Sequence, residues 1–412
     1  MELKKRKVYF SYYLFFLFLS GMFFLWFKHT AGSDSSISEW LINYEGGFTR
    51  RGLAGDIAFN VANFLNLDLR DIIFVFQSLI YLIFIYLVFD FFKEINFNYI
   101  FCLAIFTPIF ILYPIAEIEV LGRKETFVFV FFILLLNISS FRFNENYSLR
   151  FVFFILPVIC LIWEPVVFFF PFIMAILFIR MGNKKNFLKF FNILISFLPS
   201  FLILYLIIKF PLSDEGHEKM VFSLKENFNE YCYMSCALLK SKAGVIKQFT
   251  DNIPAYYWPD GSLRESVFIR YFLIFLIGFG PLWILGFFSK LKKKIIILNK
   301  NYTSLLPILL ILISPVLVLF AAGYDWGRWV NISYTFSVLF YFYLVKNNLI
   351  KIDLKKIEKF LKKQNKKIVI LFFIIFAFGW NPKTVVTGDI ASFPGYRIPV
   401  KIVKFTIWKI NN

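Results

Sequence analysis

The sequence predicts an all-α, polytopic integral membrane protein with about eleven transmembrane segments, some of them short or broken. Two observations predict it. Of 412 residues, 59% are hydrophobic and 22% aromatic, with 60 Phe, and only 17% are charged; a water-facing surface takes about 25%. The apolar residues also recur in uncharged runs near the roughly 20 residues that a helix needs to cross a hydrocarbon core. This composition excludes a soluble enzyme, a disordered chain and a disulfide-stapled secreted domain. With four Cys and two His, a zinc site built from Cys and His is close to excluded, and neither a metal nor a cofactor is expected.

The first run, 8–27, follows Lys4-Lys5-Arg6-Lys7. The basic start resembles a signal peptide, but the run is too long and no small-x-small cleavage site follows, so it reads as a retained anchor. Further runs lie at 72–92, 187–208, 267–289, 302–322 and 329–345, with shorter ones near 97–114, 126–141 and 368–380. The stretch 151–180 is about 45 Å of helix, long for one tilted span. Glu164-Pro165 sits at its middle, and a carboxylate at mid-bilayer costs a few kcal/mol. Two short helices meeting at Trp163-Glu164-Pro165 lift it to an interface, and they also leave every Lys-rich loop on one side.

The resulting topology has a cytoplasmic N-terminus and an extracytoplasmic C-terminus. The chain reads as a single transmembrane domain, 1–412, with extracytoplasmic loops at 28–71 and 209–266 and an extracytoplasmic tail at 381–412. The inner segments hold 25 Lys and Arg against 6 acids, and the outer segments 20 against 20. The whole net charge of +19 is therefore a positive-inside signal, and no nucleic-acid partner is needed to explain it. Within the basic segment 346–367, Lys351–Lys367 has apolar residues at helical spacing and is expected to lie along the inner membrane surface.

Polar chemistry collects in the outer loops. The first contains Asp34 and the run Ser38-Glu39-Trp40-Leu41-Ile42-Asn43-Tyr44-Glu45-Gly46-Gly47-Phe48-Thr49-Arg50-Arg51-Gly52-Leu53-Ala54-Gly55-Asp56. Glycines permit positive φ and close backbone approach. Adjacent Arg50 and Arg51 can clamp phosphate oxygens, and a pair of Arg on the outer side runs against the positive-inside bias. A second cluster, Glu117-Ile118-Glu119-Val120-Leu121-Gly122-Arg123-Lys124-Glu125, puts Glu119 and Arg123 on one face if helical. Glu164 is a third site, since an ionisable residue between apolar halves is a functional candidate. A fourth, Gly323-Tyr324-Asp325-Trp326-Gly327-Arg328-Trp329, offers an Asp325–Arg328 pair and indoles suited to an interfacial belt or to sugar stacking.

The long loop adds Tyr256-Tyr257-Trp258-Pro259-Asp260, an aromatic patch of the sugar-contact kind, together with Asp214, Glu215, His217, Glu218 and Cys232-x-x-x-Cys236. The two Cys either bridge or remain free thiols at helical spacing, and His217 reads as solvated. No P-loop, dinucleotide fingerprint, nucleophile elbow or HExxH motif is present.

Many spans, no nucleotide motif, and acidic and Arg clusters confined to the outer loops together resemble the GT-C class of membrane glycosyltransferases, which use polyprenyl-linked donors. The run Tyr44-Glu45-Gly46-Gly47-Phe48…Arg50-Arg51-Gly52-Leu53 narrows the resemblance to the Wzy-type polymerases of bacterial O-antigen and capsule assembly. The resemblance implies a GT-C-like fold in the bacterial inner membrane, with an extracytoplasmic active face. It implies an enzyme that joins undecaprenyl-diphosphate-linked repeat units, or else a single-sugar transferase or a flippase of the lipid-linked unit. Its partners would be the polyprenyl-diphosphate-linked glycan donor and acceptor, membrane lipids, a chain-length regulator and a flippase. On this reading Glu45, Asp34, Glu119 and Glu164 are candidate catalytic carboxylates. Arg50, Arg51, Arg123, Lys124 and Arg328 are expected to hold the diphosphate. Trp40, Tyr257, Trp258, Asp325 and Trp326 are expected to contact sugar.

Overall fold

A computed structural model describes residues 2–30, 34–182, 186–240, 253–257, 260–292, 296–297, 300–301, 304–353 and 364–386, with a few single positions between 355 and 410. The described chain is mostly helical. In order it forms α1 (Glu2–Thr30), α2 (Ser35–Trp40), α3 (Gly52–Leu65), α4 (Leu69–Phe92), α5 (Tyr99–Phe106), α6 (Tyr113–Ala116), α7 (Glu125–Ile138), α8 (Glu145–Ile162), a 3-10 turn at Glu164–Phe169, α9 (Phe170–Arg180), α10 (Asn186–Lys209) and α11 (Asp214–Phe228). Then follow α12 (Glu265–Gly278), α13 (Gly280–Phe287), α14 (Leu306–Ile313), α15 (Leu317–Ala322), α16 (Trp326–Lys346) and α17 (Lys366–Phe378). The only described strands are two short antiparallel pairs, Ser289–Leu291 with Ile350–Ile352 and Ile296–Ile297 with Lys300–Asn301. Most of the basic segment 346–367 beyond Asp353, and the tail after Val386, lie outside the described residues.

Among the described residues, four helices are long and apolar enough to cross a membrane: Lys7–Thr30 within α1, α4, α8, and Phe187–Lys209 within α10. A fifth is present if α12 and α13, bent by 50°, act as one. The run 329–345 lies in the continuous 21-residue α16; the remaining apolar runs are helical but short or interrupted, and the interruptions coincide with proline. Proline lacks the amide proton and clashes with the preceding turn. Pro281 follows the bend at Phe279, and Ser314-Pro315 separates α14 from α15. Trp163-Glu164-Pro165 ends α8, so the stretch 151–180 breaks at the residues expected.

The chain packs as two compact units, Met1–Glu94 with Ile118–Ala243, and Ile95–Glu117 with Gly244–Asn412. In the second unit α16 is the core, buried from Gly327 to Leu344. Several of its polar side chains are paired: Ser333, Thr335 and Ser337 donate to carbonyls four residues back, and Asn331 Nδ2 donates to the distant Ile109 and Phe110 carbonyls.

In the first unit α4 lies between α1 and α7, and α8 packs along α10. Direct contacts gather the ends of these helices at one pole of the unit. Lys28, near the end of α1, donates to the Leu121 carbonyl before α7 at 3.1 Å. His29 pairs with Asp71 in the first turn of α4 at 3.0 Å. Gln77 of α4 and Trp40 of α2 both donate to the Gly122 carbonyl, at 3.0 and 2.8 Å. Helices α2 and α3 and the turn between them lie at this pole, because Gly55 brings α3 against the backbone of 40–42. A Cβ on Gly55 would sit 2.0 Å from the Ile42 oxygen and 2.3 Å from that of Trp40. Neither obstacle is a movable side chain. Gly55→Val is therefore expected to destabilise the protein by about 3 kcal/mol or more. The check is the thermal unfolding midpoint in detergent, which should fall well below wild type.

Candidate functional site

The turn between α2 and α3 is built by close approach. Gly46 lies against Gly216 of α11, where a Cβ would be 1.8 Å from the Gly216 oxygen, and Gly52 lies under the Tyr44 ring. Asp56, one turn into α3, accepts from the Tyr44 amide at 3.0 Å and closes the turn. The residue that turns the chain into α3 is not a glycine. Arg51 sits in the left-handed region at φ 61°, where a Cβ clashes with the following carbonyl oxygen at roughly 1–2 kcal/mol.

What holds Arg51 there is visible at both of its ends. Its Nε donates to both oxygens of Glu164, at 3.0 and 2.9 Å, and both side chains are about one-fifth exposed. Its carbonyl accepts from Lys124 Nζ, and the Lys124 side chain is fully buried. Burial drives the Lys124 ammonium down to about 7, with Arg51 also lowering it and Glu39, Glu164 and Glu125 opposing the shift. Burial would raise the Glu164 carboxyl, but the neighbouring Arg51 and Arg50 outweigh it and hold the group below its ordinary range. Arg50 is half-buried. Burial and the adjacent Arg51 pull its guanidinium down, Glu164 offsets part of this, and no hydrogen-bond acceptor faces it among the described residues.

Behind this group lies a second ion pair. Arg123 Nη1 donates to Glu39 Oε1 at 2.6 Å, Nη2 to Ser35 Oγ at 3.0 Å, and Nε to the Glu119 carbonyl at 2.7 Å. Glu39 is 1% exposed and Arg123 8%. Four cations and three carboxylates (Glu39, Glu125 and Glu164) thus occupy one pole of the first unit, with Arg50, Arg51 and Glu164 at its more open edge. Chemically the edge suits a polyanion with a hydroxyl beside it: two guanidiniums for the charge and an ionised carboxylate for a proton.

The remaining sequence candidates divide. Asp34 is a helix cap, accepting from the Ser36 and Ile37 amides at 2.8 and 3.3 Å and pairing with Lys28 at 3.4 Å. Glu45 is exposed, with Ser223 donating to it at 3.4 Å. The Glu119 side chain is exposed, and the residue contributes its carbonyl to Arg123. Trp40 is buried against Phe76 and Phe127 and holds Gly122, so its indole braces two loops and presents no sugar platform. Arg123 and Lys124 are buried with protein partners and do not face an open surface. In the second unit Arg328 pairs with Asp325 at 3.1 Å and lies over the Trp329 ring. Trp326 is enclosed by Tyr256, Phe268, Tyr271 and Phe320, and Tyr257 is exposed. Trp258 lies outside the described residues. Glu117 is buried in this unit with Lys383 at 3.2 Å.

Sequence reasoning passed over Glu39, although it lies between Ile37 and Trp40-Leu41-Ile42, where a carboxylate must enter the core with a partner. It also read His217 as solvated. His217 is buried, with Nε2 3.2 Å from the Cys236 carbonyl and 3.7 Å from Cys232 Sγ. Cys232 and Cys236 form a disulfide with Cα atoms 5.3 Å apart. The bridged segment is strapped to the pole: the Asp34 amide donates to Tyr233 Oη, the Ser235 amide to Ser38 Oγ, and Arg70 forks onto Glu230.

Two outcomes follow. The folded-state carboxyl of Glu164 titrates below its unfolded value of about 4.3, so its pairing stabilises the protein above that pH and is lost as pH falls through the lower folded value. The difference in unfolding midpoint between wild type and Glu164→Gln should be largest near neutrality and shrink below about pH 4. Replacing Cys232 and Cys236 together by Ser should cost about 2 kcal/mol and speed hydrogen exchange at Asp34 and Ser235, read by mass spectrometry.

No protein-family model, curated protein or solved structure matches this chain.

Proposed function

We propose that the protein is a membrane glycosyltransferase that polymerises undecaprenyl-diphosphate-linked oligosaccharide repeat units on the outer leaflet of the bacterial inner membrane. This reading takes the chain as eleven spans of GT-C-like arrangement, with the N-terminus cytoplasmic and the pole bearing α2 and α3 extracytoplasmic. The observation that carries it is the Arg50–Arg51–Glu164 edge, set where the ends of membrane-length helices converge. A lipid-linked diphosphate presents its charge at that level, since its tail remains in the bilayer.

In the proposed reaction the acceptor hydroxyl oxygen attacks the anomeric carbon of the donor sugar. The bond from that carbon to the diphosphate oxygen breaks, and the departing diphosphate keeps the electron pair. Arg50 and Arg51 neutralise the charge as it develops, and the hydroxyl proton passes to a carboxylate. Glu164 is favoured over Glu45 for that role because it touches Arg51. When the diphosphate draws Arg51 away, the influence that depresses Glu164 weakens and the carboxylate becomes a stronger base. Glu164 is thus restrained until the donor is in place.

Arg51→Ala and Glu164→Gln are each expected to abolish long-chain surface polysaccharide while protein abundance stays normal, read on a glycan chain-length gel. Long chains persisting in both variants would discard this site. A deletion strain should accumulate single-unit surface glycans; loss of all surface glycan with intermediates trapped inside would indicate a flippase. A glycan missing one sugar at normal chain length would indicate a single-sugar transferase.

A further inference from the structure

Lys124 is unusual in position. Its ammonium is fully buried behind the Arg50–Arg51 edge, so it cannot touch a bound diphosphate, yet its hydrogen bond goes to the carbonyl of Arg51. Arg51 is one of five described non-glycine residues at positive φ, and the other four are Asn66, Asn229, Met234 and Asn348. Asn tolerates that region; a long basic side chain does not adopt it without restraint. Glu164 restrains the Arg51 guanidinium and Lys124 its carbonyl. A diphosphate that draws the guanidinium from Glu164 removes the first restraint. Lys124 still holds the carbonyl, which keeps the backbone turned and the guanidinium at the edge.

We propose that Lys124 is the positioning residue of the anion site: it holds Arg51 left-handed through the carbonyl and supplies charge from behind, without contacting the ligand. The inference rests on the diphosphate reading above. The charged groups facing Lys124 are Glu39 from α2, Arg51 from the turn, Glu164 from the 3-10 turn and Glu125 from α7. Protonated, Lys124 adds one positive charge behind the Arg50–Arg51 edge; neutral, it adds none. Because the Lys124 ammonium titrates near 7, anion affinity should fall as pH rises through neutrality. Stability should move the other way. A buried ammonium whose folded value lies below its unfolded value of about 10.4 makes the fold less stable as pH drops toward 7.

The test uses purified full-length protein in detergent and inorganic pyrophosphate as the probe, with affinity measured by calorimetry at pH 6 and pH 8. Lys124→Gln keeps a donor but no charge; Lys124→Met keeps neither. Comparing variants at each pH cancels the titration of pyrophosphate itself. Wild type should bind about tenfold more tightly than Lys124→Gln at pH 6 and about equally at pH 8, and Lys124→Met should bind weakly at both. Thermal unfolding should show Lys124→Met gaining on wild type as pH falls from 8 to 6, since only wild type must then charge a buried ammonium; a merely structural lysine would leave the difference between the two independent of pH. Equal pyrophosphate affinity in wild type and both variants at pH 6 would overturn the inference and leave the diphosphate reading standing. No binding by wild type at either pH would overturn both.

Discussion

Ionised side chains cannot be left unpaired at the ends of apolar helices, and the first unit is organised around that constraint. The ends of α1, α4, α7 and α8 carry Lys28, Asp71, Lys124 and, just beyond, Glu164. Each is answered by a group from another element: Asp34 and the Leu121 carbonyl, His29, the Arg51 carbonyl, and Arg51 Nε. An unpaired buried charge costs several kcal/mol, which applies to Lys28, Lys124 and Glu164; Asp71 is exposed, and its pair with His29 adds little. These pairings therefore fix which helix ends meet, and the short helices α2 and α3 lie across the meeting point as a consequence. Arg51 is the central link because it is bonded at both ends, to Glu164 after α8 and to Lys124 before α7.

This also explains which glycines matter. The Gly-rich run suggests a flexible, anion-cradling turn, but of its glycines only Gly47 has positive φ. Gly46, Gly52 and Gly55 are there for proximity, against Gly216, the Tyr44 ring and the backbone of 40–42. Without side chains at those three positions, α3 and α11 close in on the turn, and the Arg50–Arg51 pair is carried on a packed base.

What was legible in the sequence follows from how far each signal reaches along the chain. Helical segments and their breaks depend on local composition and on proline, so the break at Trp163-Glu164-Pro165 and the helix over 72–92 could be read directly. The division of the chain into two units could not, because residues 95–117 join a partner segment more than a hundred residues away. The candidate site was half legible for the same reason. Arg50, Arg51 and Glu164 announce themselves as charges flanked by apolar or glycine-rich sequence. That Arg51 meets Glu164, 113 residues on, that Asp34 is spent on a helix cap, and that Arg123 is taken by Glu39 are tertiary facts. Arg50, Arg51, Arg123 and Lys124 are equivalent as letters; of these four, burial leaves Arg50 and Arg51 the more accessible.

A left-handed arginine is then the strongest sign that the pole is more than scaffolding. Where the backbone alone needed φ near 61°, glycine would serve at lower cost, and the run already uses glycine at 46, 47, 52 and 55. An arginine held in that conformation gains nothing from its backbone. Its benefit must come from where the guanidinium ends up, beside Arg50 and against Glu164. Two adjacent guanidiniums repel one another, and burial costs them further. On the proposed reading a polyanion offsets the repulsion: it would neutralise Arg50 and Arg51 together, while the hydrogen bond from Lys124 to the Arg51 carbonyl keeps the arginine turned toward it.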